Sequence, residues 1–587
     1  MSNPLFSTIR VKKPRRNAFD MSHEKKLSCN MGKLVPILCQ EVVPGDTFKM
    51  SSEILVRMAP MIAPVMHRVN VYTHFFFVPN RLVWDDWRTF ITGGPKGDGR
   101  RPGASSSDAP VSFPIMEFNN PLDSSLFAPG SLADYMGLPY LKPSQNNPVQ
   151  VSSLPFRAYV EIYNEYYRDQ NLTDPVPYSK GAVMSGDVPN LMSLRSRCWE
   201  KDYFTSALPF VQRGEPVEII KGASSGLAPV KMRSGWNTSS IPDNDVPRFV
   251  EHESRLNDNS SPAGNYFQVY ANKGDMSTSS TPHVGDVVKL TTVGATSFSN
   301  TKIQGYNPGS SLVADLSAAG QVTSTTINDL RWAARLQEWL EKMARGGSRY
   351  IEQIYNMFGV KSSDARLQRP EYLGGGKTPI MISEVLQTSQ SENKMTSDPT
   401  YSGTPQGNMS GHGISAGVTH GFKRFFEEHG YIIGIMSIMP RTAYQQGIPR
   451  TFFKFDKFDY YWPPFGHLGE QVVYNKEVYA EGDQLPDESV PFGYQSRYSE
   501  YKFNHSTVHG DMRSSLKFWH MGRIFNILGD PAAESGTPPL LNESFVTAKP
   551  THRIFAVTDE NDDKCWVQLY HNMIGIRPMP KYGTPML

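Results

Sequence analysis

The chain has 587 residues, 39% hydrophobic and 20% charged, with 59 Lys and Arg against 57 Asp and Glu for a formal net charge of +2. That length suits roughly three or four domains, or one large β-architecture with long insertions. The charge balance excludes a polycation, so any nucleic-acid affinity must come from local clusters.

No window reaches about 18 consecutive apolar residues, which excludes a transmembrane helix and predicts no membrane insertion. The start, "MSNPLFSTIRVKKPRR", lacks an apolar signal core, so no passage through a cleaved signal is expected. The four cysteines, Cys29, Cys39, Cys198 and Cys565, form no CxxC pair. They read as reduced thiols rather than a disulfide framework or a zinc ribbon. The 47 Gly and 45 Pro favour a loop-rich β-protein, and the 27 Tyr and 31 Phe suit half-buried sheets and subunit contacts.

Residues 1–40 read as a basic N-terminal arm. Arg10, Lys12, Lys13, Arg15, Arg16, Lys25 and Lys26 face only Asp20 and Glu24 there. Pro14 keeps the segment extended. Such an arm is either a solvated, disordered terminus or a strip of phosphate contacts without base readout.

Residues 41–214 hold the first strands. In "HRVNVYTHFFFVPN", Val69, Val71, Thr73, Phe75 and Phe77 share one face, and Tyr72, His74 and Phe76 the other. Both faces are bulky, which predicts a strand buried on two sides. "RLVWDDWRTFITGG" suits a short helix stopped by Gly93 and Gly94. Gly93 to Pro155 reads as a long loop, followed by a helix in "LPFRAYVEIYNEYYRDQN" with Pro155 in its first turn. Its stripe of Tyr159, Ile162, Tyr163 and Tyr166 is a packing face.

Residues 215–325 are rich in Ser, Thr, Asn, Gly and Pro and read as an exposed insertion. Residues 326–587 open with a helical segment, with Thr326 and Asp329 as a capping box and Gly346 and Gly347 at its end. A second helix runs from Arg349 to Phe358. "GYIIGIMSIMP" predicts a buried strand. "HRIFAVTDENDDKCWVQLYHNMIGIRPMP" predicts two strands joined by an acidic turn. The aromatics of "FDYYWPPFGH" read as interface core in preference to base-stacking platforms.

No motif carries covalent chemistry. In "YLGGGKTPIMI", Gly376, Lys377 and Thr378 spell G-K-T, but Glu371 stands where a phosphate loop needs its first glycine. A glycine turn is expected instead. Glu427 and Glu428 are adjacent and diverge, unlike the facing carboxylates of a glycosidase. His252, His67, His74 and His467 lack metal-ligand spacing. No catalytic residue, metal or cofactor is therefore assigned.

The segments "PRRNAFDMSHEKK", "MARGGSRYIEQIYNMFGVKSSDARLQRPEYLGGG", "EEHGYIIGIMSI", "YQQGIPR", "HLGEQ", "FGYQSRYSEYKF" and "LNESFV" resemble the major capsid proteins of gokushoviruses, small single-stranded DNA phages of the Microviridae. The resemblance implies a mainly β fold, an eight-stranded antiparallel jelly roll with long loop insertions and a few helices. It implies a T=1 icosahedral shell in the virion, assembled in the host bacterial cytoplasm around single-stranded DNA. It places the 215–325 insertion at threefold axes, as a protrusion for a host surface receptor. It also implies a separate small basic DNA-binding protein, since the arm's charge is modest for a genome. Two other readings stay open on sequence: a carbohydrate-binding or glycan-cleaving β-protein, and a nucleotide-dependent packaging enzyme.

Overall fold

The structure is a computed structural model. It describes residues 15–215, 217, 327–389, 406–525 and 539–582, apart from 106, 348, 420, 481–490, 558 and 560, together with five short strands between 230 and 314. The chain separates into two compact units, one of Met1–Glu215 with Glu338–Leu587 and one of Pro216–Gln337.

The strands of the first unit begin with β1 (Asn17–Asp20), β2 (His23–Cys29), β3 (Val35–Val42), β4 (Thr47–Met58), β5 (Val69–Pro79), β6 (Ile115–Phe118) and β7 (Val149–Ser152). The second unit carries β8 (Val230–Met232), β9 (Arg248–His252), β10 (Tyr266–Tyr270), β11 (Val287–Thr291) and β12 (Leu312–Ala314). There β9, β10 and β11 form an antiparallel meander, and β8 pairs with β12. The first unit resumes with β13 (Glu371–Leu386), β14 (Met409–Val418), β15 (Phe422–Phe425), β16 (Gly430–Pro440), β17 (Glu470–Tyr474), β18 (Pro491–Ser496) and β19 (Cys565–Arg577).

The large sheet is antiparallel throughout and runs β1-β19-β4-β14-β13-β5-β16-β3. It holds ten strands where eight are expected. Two edges are each shared by two strands: β2 and β1 lie end to end along β19, and β14 and β15 end to end along β4. Strand β13 joins the two halves. Its residues from Glu371 to Ile380 pair with β5, and those from Met381 to Leu386 pair with β14.

The sequence pattern explains which face each half presents. In β4 and β19 every second side chain is buried: Phe48, Met50, Ile54, Val56 and Met58 on one, Val567, Leu569 and Met573 on the other. This is the alternation of a sheet with one wet face. These residues share a core with Val69, Val71, Phe75 and Phe77 of β5 and Ile432, Met436 and Ile438 of β16. The opposite face of β5 and β16, with Phe76, Val78, Ile433 and Ile435, packs into a second core. As expected, β5 is buried on both sides.

Nine α-helices occur among the described residues: α1 (Asn80–Val83), α2 (Trp87–Thr92), α3 (Leu132–Met136), α4 (Leu154–Ile162), α5 (Asp187–Met192), α6 (Ile327–Gly346), α7 (Tyr350–Phe358), α8 (Asn475–Val478) and α9 (Glu543–Val546). Helix α4 closes the second core with Phe156, Tyr159 and Ile162 and then widens into a π turn over Tyr163–Tyr167. Helices α2 and α7 stop at Gly93 and Gly359, both left-handed with φ of 76° and 68°, where only glycine sits without strain. Among the described helices none is long and apolar enough to cross a membrane.

Three expectations are corrected. The stretch from Gly93 to Pro155 is not plain loop: it holds β6, β7 and α3, whose short apolar runs fill the second core. His552–Val557 is no strand and contributes only a bridge from Met61 to Phe555, so β19 stands alone there. The described part of the expected arm over 1–40 is sheet from Asn17 onward, because β1 and β2 satisfy the free edge of β19. Thr326, half of the expected capping box, lies outside the described residues.

Candidate nucleic-acid interface

Of the seven basic residues singled out near the start, Arg10, Lys12 and Lys13 lie outside the described residues. Arg15 and Arg16 are exposed just before β1. The Arg16 guanidinium stands 5.0 Å from the centre of the Phe425 ring. Lys25 and Lys26 are neighbours on β2 and therefore point to opposite faces. Lys25 turns inward, where its ammonium donates to the carbonyls of Pro36 at 3.1 Å and Tyr135 at 2.5 Å. Burial lowers its pKa. Lys25 is thus an anchor tying β2 to β3 and α3. Lys26 faces solvent and pairs with Glu24 at 3.2 Å.

A larger concentration of cations lies elsewhere in the first unit. A cavity of about 1480 Å³ is lined by nine Arg and Lys residues against five Asp and Glu. The cations are Arg168, Arg197, Lys201, Arg345, Arg349, Lys361, Arg369, Lys377 and Arg441. They come from the end of the π turn, the segment after α5, the end of α6, the cap before α7, the α7–β13 connection, β13 and the residue after β16, so no run in the sequence announces them.

The wall is built on aromatic rings. Tyr72 of β5 carries the Arg197 guanidinium at 4.1 Å and the Lys377 ammonium at 5.1 Å from its ring centre. Its hydroxyl donates to Glu200, which also pairs with Lys377 at 3.3 Å. Arg369 lies 4.3 Å over Tyr166 and pairs with Asp364 at 3.4 Å. Arg349 is held by the carbonyls of Asn164 and Arg168, at 2.9 and 3.3 Å, and burial lowers its pKa. These contacts fix the guanidinium planes in place before any ligand arrives.

His74 hydrogen-bonds through Nδ1 to the Tyr167 hydroxyl at 2.8 Å. Burial, helped by the charge of Arg197, holds its pKa down at about 4, so the ring is neutral near pH 7. Burial also raises the phenol of Tyr167. The positive charge of the wall therefore rests on Arg and Lys. Guanidinium groups and rings in alternation suit the phosphates and base planes of an unpaired strand.

The G-K-T segment is part of this wall, and neither a phosphate loop nor the expected turn. Gly376, Lys377 and Thr378 lie in β13 opposite Thr73, Tyr72 and Val71 of β5. The glycines let the two backbones approach: a Cβ on Gly375 would stand 2.3 Å from the Thr73 carbonyl oxygen. Among the described residues no three His, Cys, Asp or Glu side chains are grouped to hold a metal ion.

The family model described as capsid protein (F protein) matches residues 7–587. Three curated relatives, each called capsid protein VP1, are similar along nearly their whole length. That of Chlamydia phage 1 is 37% identical, covering 99% of this chain and 97% of the relative. Those of Bdellovibrio phage phiMH2K and Spiroplasma virus 4 are 34% and 31% identical, covering 97% and 99% of this chain and 95% and 97% of the relatives. With a β-sheet core of the kind such shells use and a match over almost every residue, the chain belongs to the capsid protein (F protein) family, as a major capsid protein of the gokushovirus type within the Microviridae.

Proposed function

We propose that copies of this chain assemble into a T=1 icosahedral shell that encloses single-stranded DNA. The observation that carries this reading is the end-to-end similarity to capsid proteins of three small phages. The role is structural, and no residue performs covalent chemistry.

Arg10, Lys12, Lys13, Arg15 and Arg16 face the genome as phosphate contacts, and Lys26 extends that strip. The cation-lined cavity adds a second place where backbone phosphates and bases are held. A net charge of +2 per copy neutralises few phosphates, so a separate small basic protein accompanies the DNA. The 215–325 insertion, with its Ser-, Thr- and Gly-rich composition, is the protrusion that meets the host surface. Assembly takes place in the host bacterial cytoplasm.

The test is substitution of all five arm cations with Ala. Particles of normal size with a lower ratio of absorbance at 260 nm to that at 280 nm are expected. Unchanged DNA content in those particles identifies the arm as a solvated terminus with no packaging role.

A further inference from the structure

The segment from Arg450 to Leu468 is dense in aromatic residues, yet it is not buried. Phe455 is 88% exposed, Phe452 73%, and Tyr460, Tyr461, Trp462 and the neighbouring Tyr501 about half exposed each. At about 200 Å² per ring, these six present roughly 700 Å² of ring surface to solvent. A soluble monomer rarely shows more than a few hundred Å² of contiguous apolar surface. Each partner in a standard protein interface contributes about 800 Å².

This surface is held rigidly. The Asp459 carboxylate accepts from the backbone N–H groups of Phe455 and Asp456, at 3.0 and 2.8 Å, and Asp456 caps Lys457 at 2.6 Å. The Trp462 indole N–H donates to the Lys457 carbonyl at 2.8 Å. Lys454 is buried under the rings, 3.8 Å from the centre of Tyr501 and paired with Glu500 at 2.9 Å. Tyr461 in turn packs on Tyr498 at 5.1 Å. The backbone donors and the indole are thus satisfied from within, and the rings pay little ordering entropy on contact.

The charges on the segment are mostly engaged. Asp456 and Asp459 act as caps, and Arg450 and Lys454 are in ion pairs with Glu477 and Glu500. Lys457 is the exposed cation, 5.0 Å from the centre of the Phe458 ring. A nucleic acid would need more than one such cation here, and a basic protein free carboxylates. What the surface offers is fixed, solvent-exposed aromatic area, the composition of an interface core.

We infer that Phe452, Phe455, Tyr460, Tyr461, Trp462 and Tyr501 form a contact surface for a second copy of this chain, and that this contact drives subunit association. The inference deepens the shell reading and rests on it. It names the patch through which copies meet.

The experiment compares the full chain with a Phe452→Ser, Phe455→Ser, Tyr460→Ser variant by velocity sedimentation. The replaced side chains are at least half exposed, so the thermal midpoint of the unassembled variant should match that of the parent chain. The ratio of particles to free subunits should fall by about tenfold or more. Equal particle yield from the two chains overturns the contact while leaving the shell reading intact. Absence of particles from the unaltered chain overturns both. In a second arm, a photo-crosslinking phenylalanine replaces Phe455 in otherwise native particles. A crosslinked band at the mass of two chains supports the inference. Crosslinks confined to one chain, or made to another polypeptide, overturn it.

Discussion

His571 sits on the buried face of β19, directly opposite Ser52 of β4. Its Nε2 lies 3.1 Å from the Ile37 carbonyl, which can only accept, so Nε2 carries the proton and Nδ1 accepts from the Ser52 hydroxyl at 2.7 Å. Burial holds the pKa of His571 at about 4, and burial does the same for His67 and His74. Between pH 6.5 and 4 the unfolded chain therefore binds more protons than the folded one. The stabilisation is complete above pH 6.5 and is lost as pH falls toward 4, by up to about 1.4 kcal/mol per pH unit for each such histidine. Urea midpoints measured from pH 7 to pH 4.5 should fall accordingly, and His571→Gln should make that fall shallower.

A glycine supplies the second prediction at this scale. Gly375→Ala drives a methyl group into the Thr73 carbonyl oxygen across the β13–β5 pair. The backbone there has no room to yield, so a cost of about 1–3 kcal/mol is expected in denaturant titrations. The sequence shows this glycine run plainly, but its partner strand lies some 300 residues earlier in the chain, which is why a turn was the natural expectation from local pattern. Lys25 and Lys26 make the same point. A charge count treats them alike, while the pleat sends one ammonium inward and the other to water.

Strands were legible where their periodicity was strong. The two bulky faces of "VNVYTHFFFVP" and the apolar run of "GYIIGIMSIMP" both mark strands buried on two sides, and β5 and β16 are such strands. In β19 burial alternates strictly, but the letters of "CWVQLYHNMIGIR" do not show it, because Trp566, Tyr570, Ile574 and Ile576 lie on the exposed face. Leu569→Ala should therefore cost about 2–5 kcal/mol, while Gln568→Ala beside it should stay within about 0.5 kcal/mol, both read from urea unfolding. "HRIFAV" carries a short apolar run, yet it forms only an isolated bridge. Helix ends read well because their signals are local: α2 and α7 stop at glycines that the sequence places there.

At the scale of the molecule, the two ends of the first unit are one structure. β19, at the C-terminal end, pairs with β1 and β2 on one edge and β4 on the other. A chain ending at Lys564 loses the strand that joins them and leaves an edge of β2 and an edge of β4 without hydrogen-bond partners. Such a truncation should abolish cooperative unfolding and the soluble product together, as followed by circular dichroism and pelleting. The basic–aromatic cavity is likewise a whole-molecule feature, with lining residues spread from His74 to Thr442. No window of the sequence holds enough of them to be noticed.

The sequence by itself determined the fold class, the family, the strongest strands and the absence of a recognisable catalytic motif, because each is written in composition, period or long shared segments. Tertiary structure alone decided which lysine is anchored inside and which faces water, that G-K-T is a strand, and where nine cations converge on one cavity, three of them over tyrosine faces. The reason is that side-chain direction and distant proximity follow from strand pairing, and pairing partners are chosen by the whole chain rather than by neighbours in it.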